Sequence, residues 1–137
     1  MALRPYRSVL YIPGSKERAL EKARELAADA IIFDLEDAVA PDEKDRARDL
    51  LAETLRTTDY GRRARIVRIN GLDTVWGRKD ALAFGAHEGA DALLLPKVNR
   101  AADLDDLAGR APGKPLWAMM ETALGMLNAA EIAAHPA

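Results

Sequence analysis

Short unbroken apolar runs alternate along this chain with longer stretches in which apolar residues recur every three or four positions. The first run is Ser8-Val9-Leu10-Tyr11-Ile12, closed by Pro13-Gly14. Ala19, Leu20, Ala23, Leu26 and Ala27 then follow at helical spacing, with Ser15 as the candidate N-cap and Arg18 where a capping box would carry Glu. A second run spans residues 30–35. Pro41 fits the first position of the next helix, Asp42 and Glu43 suit its positive end, and Ala47, Leu50, Leu51, Thr54 and Leu55 line one face. The third strand reads Ala64-Arg65-Ile66-Val67-Arg68-Ile69-Asn70, before a helix over 74–88 that Gly77 and Gly85 weaken. A fourth strand, 92–95, ends at Pro96, and a short helix follows over 101–109. Pro112-Gly113 leads into a fifth strand, 116–120, and a last helix covers 124–134.

Continuously apolar strands alternating with amphipathic helices predict an α/β fold made of βαβ units around a parallel sheet. Five such units are compatible with two architectures. A flavodoxin-like open sheet would be complete with them, and length favours it; a TIM barrel needs eight. No linker, low-complexity tract or repeat divides the 137 residues, which read as one domain.

Composition narrows the function classes. With no cysteine there is no disulfide framework, thiolate nucleophile or Cys-ligated zinc. The 20 Lys+Arg against 22 Asp+Glu give a net charge of −2, which argues against a general binder of nucleic acid or anionic membrane. An aromatic content of 5% is low for base stacking. Residues 1–7 lack the apolar run of a signal peptide, and no stretch approaches the roughly 20 apolar residues of a membrane span. A soluble, cytoplasmic chain is the expectation.

Candidate chemistry lies where strands pass into helices, the edge that carries catalytic groups in both architectures. The five junctions read Pro13-Gly14-Ser15, Glu36-Asp37-Ala38, Asn70-Gly71, Pro96-Lys97 and Glu121-Thr122. Three carboxylates, a lysine and an amide thus converge on one rim, with Arg68 just inside it. Strand alternation puts Ile66, Arg68 and Asn70 on one side and Arg65, Val67 and Ile69 on the other. An arginine in a buried strand needs an anionic partner. That partner is either a rim carboxylate such as Glu36, in a structural ion pair, or a substrate carboxylate or enolate oxygen.

Glu121 is a hard oxygen donor suited to Mg²⁺, though one ligand is not a site. Glu36 and Asp37 could hold Arg68 or metal-bound waters, or simply cap a helix. Lys97 is either a solvated charge or a contact for phosphate or carboxylate. The Pro13-Gly14-Ser15 turn could cradle an anion at a helix start. His87 and His135 lack metal-ligand spacing and read as surface residues, and Met119 and Met120 as core filler.

Five segments, taken in order, resemble the HpcH/HpaI aldolase and citrate lyase β-subunit family, in its citrate lyase β-like branch. They are Arg7-Ser8-Val9-Leu10-Tyr11-Ile12-Pro13-Gly14, Asp34-Leu35-Glu36-Asp37-Ala38-Val39, Val67-Arg68-Ile69-Asn70, Leu95-Pro96-Lys97 and Met120-Glu121-Thr122. The resemblance implies a TIM (β/α)8 barrel of the phosphoenolpyruvate/pyruvate type, here as its first five βα units. It also implies a Mg²⁺-dependent carbon–carbon lyase acting on a 3-hydroxyacyl-CoA such as citryl-CoA, with a malyl- or citramalyl-CoA lyase or a thioester hydrolase on the same site as alternatives.

By the same resemblance Arg68 and Glu121 are catalytic and bind substrate, and Glu121 is a metal ligand. Glu36 and Asp37 support the substrate, while Pro13, Gly14 and Lys97 lie toward the CoA part. A second metal carboxylate is expected beyond Ala137, so the chain reads as an incomplete barrel, either fragment or truncation. Ala123 stands where relatives often carry proline. The resemblance further implies a homo-oligomer, trimer or hexamer. A receiver-type signalling module, the competing reading, would end its third strand in Asp and its fifth in Lys; here those strands end in Asn70-Gly71 and Glu121.

Overall fold

The computed structural model describes residues 4–137. Five parallel strands run β1 (Val9–Pro13), β2 (Ala30–Asp34), β3 (Ala64–Arg68), β4 (Ala92–Leu95) and β5 (Leu116–Ala118), and they pair in the order β1-β2-β3-β4-β5. The intervening helices are α1 (Glu17–Lys22), α2 (Lys44–Thr57, entered through a 3-10 turn at Pro41–Glu43), α3 (Val75–Phe84), α4 (Ala101–Arg110), α5 (Ala123–Leu127) and α6 (Ala129–Ala133).

Sequential order with helices on one side excludes the open doubly wound alternative, whose strand order reverses and whose helices cover both faces. Ile31, Phe33, Val67, Ile69, Leu93 and Leu95 face outward into the main core, where α1, α2, α3 and α4 contribute Leu20, Leu51, Leu55, Phe84, Leu104 and Leu107. The opposite face holds a smaller cluster of strand residues alone: Ala30, Ile32, Ala64, Ile66, Ala92 and Leu94, with Trp117 and Met119 half-buried against it. These are the outer and inner faces of a β/α-barrel wall. Near its β1 edge the inner face is open, with Tyr11 41% exposed.

Several local expectations change. Helix α1 ends at Lys22 because Arg24 and Glu25 bond back only three residues, to Glu21 O and Lys22 O. Its N-cap is Lys16 rather than Ser15, and Ser15 Oγ is buried with no partner among the described residues. The last helix breaks at Asn128, whose Nδ2 donates to Asn99 O at 2.9 Å.

Gly77, expected to weaken α3, is instead required there. Its N–H donates to the capping Thr74 Oγ1 at 3.0 Å, and a Cβ would lie 2.0 Å from Gly71 O. The same Thr-x-x-Gly device recurs at α5, where Gly125 N–H donates to Thr122 Oγ1 at 2.9 Å and a Cβ would lie 2.2 Å from Val98 O. In both places a helix N-terminus is drawn tightly onto a loop that leaves a strand. The two histidines are not simple surface groups either. His87 Nε2 lies 2.9 Å from Ala52 O, and His135, with 7% of its side chain exposed, pairs with Asp105 at 3.0 Å.

Candidate functional site

The site begins with a register. Parallel pairing sets Asp34, at the end of β2, directly beside Arg68, at the end of β3, and alternation turns both onto the inner face. Arg68 Nε donates to Asp34 Oδ1 at 2.8 Å and Nη2 to Oδ2 at 2.6 Å, a two-pronged pair between groups 7% and 2% exposed. Nη1 stands 3.4 Å from Glu36 Oε2, and the guanidinium lies 5.1 Å from the Tyr11 ring centre. The Asp34 hydrogen bonds hold Arg68 protonated well above the ordinary arginine range, and burial only partly opposes them. Asp34 also accepts from the N–H of Glu36 (2.8 Å) and Ala38 (3.1 Å), which shapes the loop that carries Glu36.

Lys97 occupies the centre of the rim. Its ammonium donates to Glu36 Oε1 and lies 3.8 Å from Asp37 Oδ1, while its backbone N–H donates to Glu121 Oε1 at 2.8 Å. The hydrogen bond to Glu36 is the main cause that raises the Lys97 pKa. Lys97 is also the one non-glycine residue with positive φ among the described residues, at 53°. That conformation costs an ordinary side chain about 1–2 kcal/mol. Four carboxylates (Asp34, Glu36, Asp37, Glu121) share the rim with two cations (Arg68, Lys97), leaving two excess negative charges.

A second polar cluster lies behind the rim, under α2 and α3. Asn70 N–H donates to Asp80 Oδ2 at 2.9 Å; Asn70 Nδ2 donates to the same oxygen at 2.7 Å and to Leu35 O at 2.9 Å. Arg48 Nε donates to Asp80 Oδ1 at 2.7 Å. Lys44 Nζ donates to Leu35 O at 3.1 Å and to Glu36 O at 2.7 Å, and its burial pulls its pKa down. These groups pin the ends of β2 and β3 from outside.

The structure therefore gathers Arg68, Glu36, Lys97 and Glu121, with the exposed Asp37 at the margin. Asn70, expected to share the inner side with Arg68, does not, because β3 ends at Arg68 and the amide turns to Asp80. At Pro13-Gly14 the Gly14 N–H is taken by Asp34 O at 2.8 Å, so it is not a free anion donor. Lys97 is bound to Glu36 instead of reaching outward. Asp34 was missed as a site residue. Its position at the end of an apolar strand is visible in the sequence, but the β2–β3 pairing that sets it beside Arg68 is not.

Among the described residues, no three His, Asp or Glu side chains form a ready metal cage. The donor set still fits a hard cation that keeps most of its waters. Glu121 is exposed, one of its oxygens accepts from Lys97, the other has no hydrogen-bond partner among the described residues, and Mg²⁺ typically takes only one or two protein carboxylates.

Fold and rim together define a class: a β/α-barrel protein with a charged site at the carboxyl ends of its parallel strands. The sequence profile of the HpcH/HpaI aldolase/citrate lyase family matches residues 7–137, and the chain belongs to that family. Two (3S)-malyl-CoA thioesterases from strains of Cereibacter sphaeroides are 72% and 74% identical to it over 132 residues, covering 96% of this chain and 46% of theirs. The citrate lyase subunit beta of Leuconostoc mesenteroides subsp. cremoris is 42% identical over 138 residues, covering 93% of this chain and 45% of its own. Among solved structures, the citrate lyase beta subunit of Mycobacterium tuberculosis complexed with oxaloacetate and magnesium is similar at TM-score 0.81 and 34% identity, over 99% of this chain and 57% of that one. The M. tuberculosis protein CitE in complex with magnesium, acetoacetate and coenzyme A is similar at TM-score 0.79 and 35% identity, over 97% and 46%. The chain spans about half the length of the curated relatives it matches.

Proposed function

We propose that this chain carries the first five βα units of a Mg²⁺-dependent enzyme that hydrolyses the thioester of a malyl-CoA-type substrate. The observation that carries this reading is the 72–74% identity to (3S)-malyl-CoA thioesterases, against 42% and 38% to a citrate lyase subunit and a malyl-CoA/β-methylmalyl-CoA lyase. The rim supports it: its excess of carboxylates suits a divalent cation, and Arg68 suits a carboxylate-bearing, oxygen-rich substrate.

Arg68, locked by Asp34 through Nε and Nη2 and with Nη1 only loosely paired to Glu36, binds the substrate carboxylate or the oxyanion formed at the thioester carbon. Glu36, held by Lys97 and near Arg68, keeps that guanidinium from swinging outward. Glu121 offers its free oxygen to the metal. A divalent cation held by Glu121 would supply Lewis-acid polarisation of a substrate oxygen or of a water. Lys97 and the Pro13-Gly14 turn that closes β1 are assigned to the longer CoA part.

One assay separates hydrolysis from carbon–carbon cleavage. Incubated with (3S)-malyl-CoA and Mg²⁺, the intact protein should release free CoA thiol and malate. A lyase instead yields acetyl-CoA and glyoxylate with no new thiol. Glyoxylate without free thiol would overturn the thioesterase reading and restore the lyase that the 38–42% identical relatives favour.

A further inference from the structure

Two features of Lys97 are unexplained by charge alone: a backbone conformation that lysine disfavours, and a main-chain N–H spent on a side chain 24 residues away. An ammonium at this rim would need neither. Lys97 adopts this left-handed conformation directly after Pro96, and in it the N–H donates to Glu121 Oε1, just beyond the end of β5. The neighbouring main chain is fixed independently, because Thr122 Oγ1 lies 2.6 Å from Asn99 Oδ1 and accepts from Gly125 N–H. What Lys97 adds is orientation of the carboxylate itself. With Oε1 held, the other oxygen has no hydrogen-bond partner among the described residues and is left for a ligand. The same residue's ammonium holds Glu36, whose other oxygen faces Arg68.

We infer that Lys97 is a positioning residue that works through its backbone: its left-handed conformation orients Glu121 for the metal, and its ammonium separately orients Glu36. The metal half rests on the function proposed above. The two arms can be separated by substitution. Lys97→Gly keeps the N–H and accepts positive φ, but removes the ammonium. Lys97→Val removes the ammonium and also resists positive φ, which pulls the N–H away from Glu121.

The experiment is Mg²⁺ titration of the intact protein by calorimetry, with the metal alone as probe. Lys97→Gly should bind Mg²⁺ within about threefold of the parent, whereas Lys97→Val should bind at least about tenfold more weakly, the usual penalty for losing a group that orients a ligand. A folded Lys97→Val protein that binds as tightly as the parent overturns the inference, as does Lys97→Gly losing as much affinity as Lys97→Val. If Lys97→Val does not fold, Lys97→Ala replaces it.

A second measurement needs no metal. The Lys97 amide proton resonance should move upfield in Glu121→Gln, because the charged acceptor is lost, and an unmoved resonance refutes the contact. A parent protein that binds no Mg²⁺ refutes the proposed metal function, while the amide shift still reports on the Lys97–Glu121 bond.

Discussion

The two faces of the sheet each bury an arginine against an aspartate and each carry a tyrosine, yet they serve different ends. On the outer face Arg48 (7% exposed) meets Asp80 (0%), and Tyr60 (1%) donates to Leu20 O at 2.9 Å. On the inner face Arg68 (7%) meets Asp34 (2%), with Tyr11 half open beside it. Burial and pairing are nearly the same, so neither can separate a structural ion pair from a functional one. Direction separates them. The outer pair spans α2 and α3 beneath helices, and its carboxylate is filled by Asn70. The inner pair stands at the carboxyl ends of β2 and β3, where Arg68 still has Nη1 only loosely engaged and a charged rim around it.

Breaking each pair should give opposite phenotypes. The largest effect expected is on turnover: Arg68→Lys in the intact protein should lower kcat/KM by about 100-fold or more, because a point charge cannot keep two prongs on Asp34 and still face substrate. Near-parental turnover in steady-state assays would reduce Arg68 to the structural role of Arg48. Asp80→Asn should do the reverse. It removes the charge of the buried one of Arg48's two carboxylate partners, leaving only the exposed Asp45 at 2.6 Å, and should cost about 2 kcal/mol of stability, read as a fall in Tm of roughly 7 °C, with activity per folded molecule kept within about threefold. Equal damage to activity would mean the outer cluster takes part in the chemistry.

The tyrosines sharpen the contrast through pH. Burial pushes the Tyr60 hydroxyl up to about 12 from an ordinary value near 10. Above pH 10 the unfolded chain therefore ionises this group while the folded chain does not, so the stabilisation is complete below pH 10 and is lost as pH rises toward 12. Alkaline denaturation curves should show about 2–3 kcal/mol lost across that interval, and Tyr60→Phe should flatten it. Tyr11 is raised too, mainly by burial, but Arg68 pulls the other way. Tyr11→Phe should leave the alkaline curve almost unchanged.

The smallest effect expected is at Lys44→Met. Removing the ammonium from the carbonyls of Leu35 and Glu36 also relieves a desolvated charge, so the net loss should be about 1 kcal/mol by urea denaturation. A loss several times larger would make Lys44 the main tie between the outer cluster and the rim.

By itself the sequence determined the alternation of strands and helices, the five junctions and the inward position of Arg68, because periods of two and of three to four are written in local residue order. The family resemblance, carried by the junction motifs, chose the barrel where length favoured an open sheet. Chain pairing supplied what local order cannot encode. Only the β2–β3 register revealed that Asp34 takes both prongs of Arg68, since the two lie 34 residues apart. The early end of β3 at Arg68 sent Asn70 out to Asp80, although alternation placed it inward. Only tertiary packing made Gly77 and Gly125 necessary, through carbonyls of loops that approach too closely for a Cβ. Likewise, no propensity of lysine predicts the left-handed turn at Lys97, whose N–H meets Glu121 beyond the end of β5.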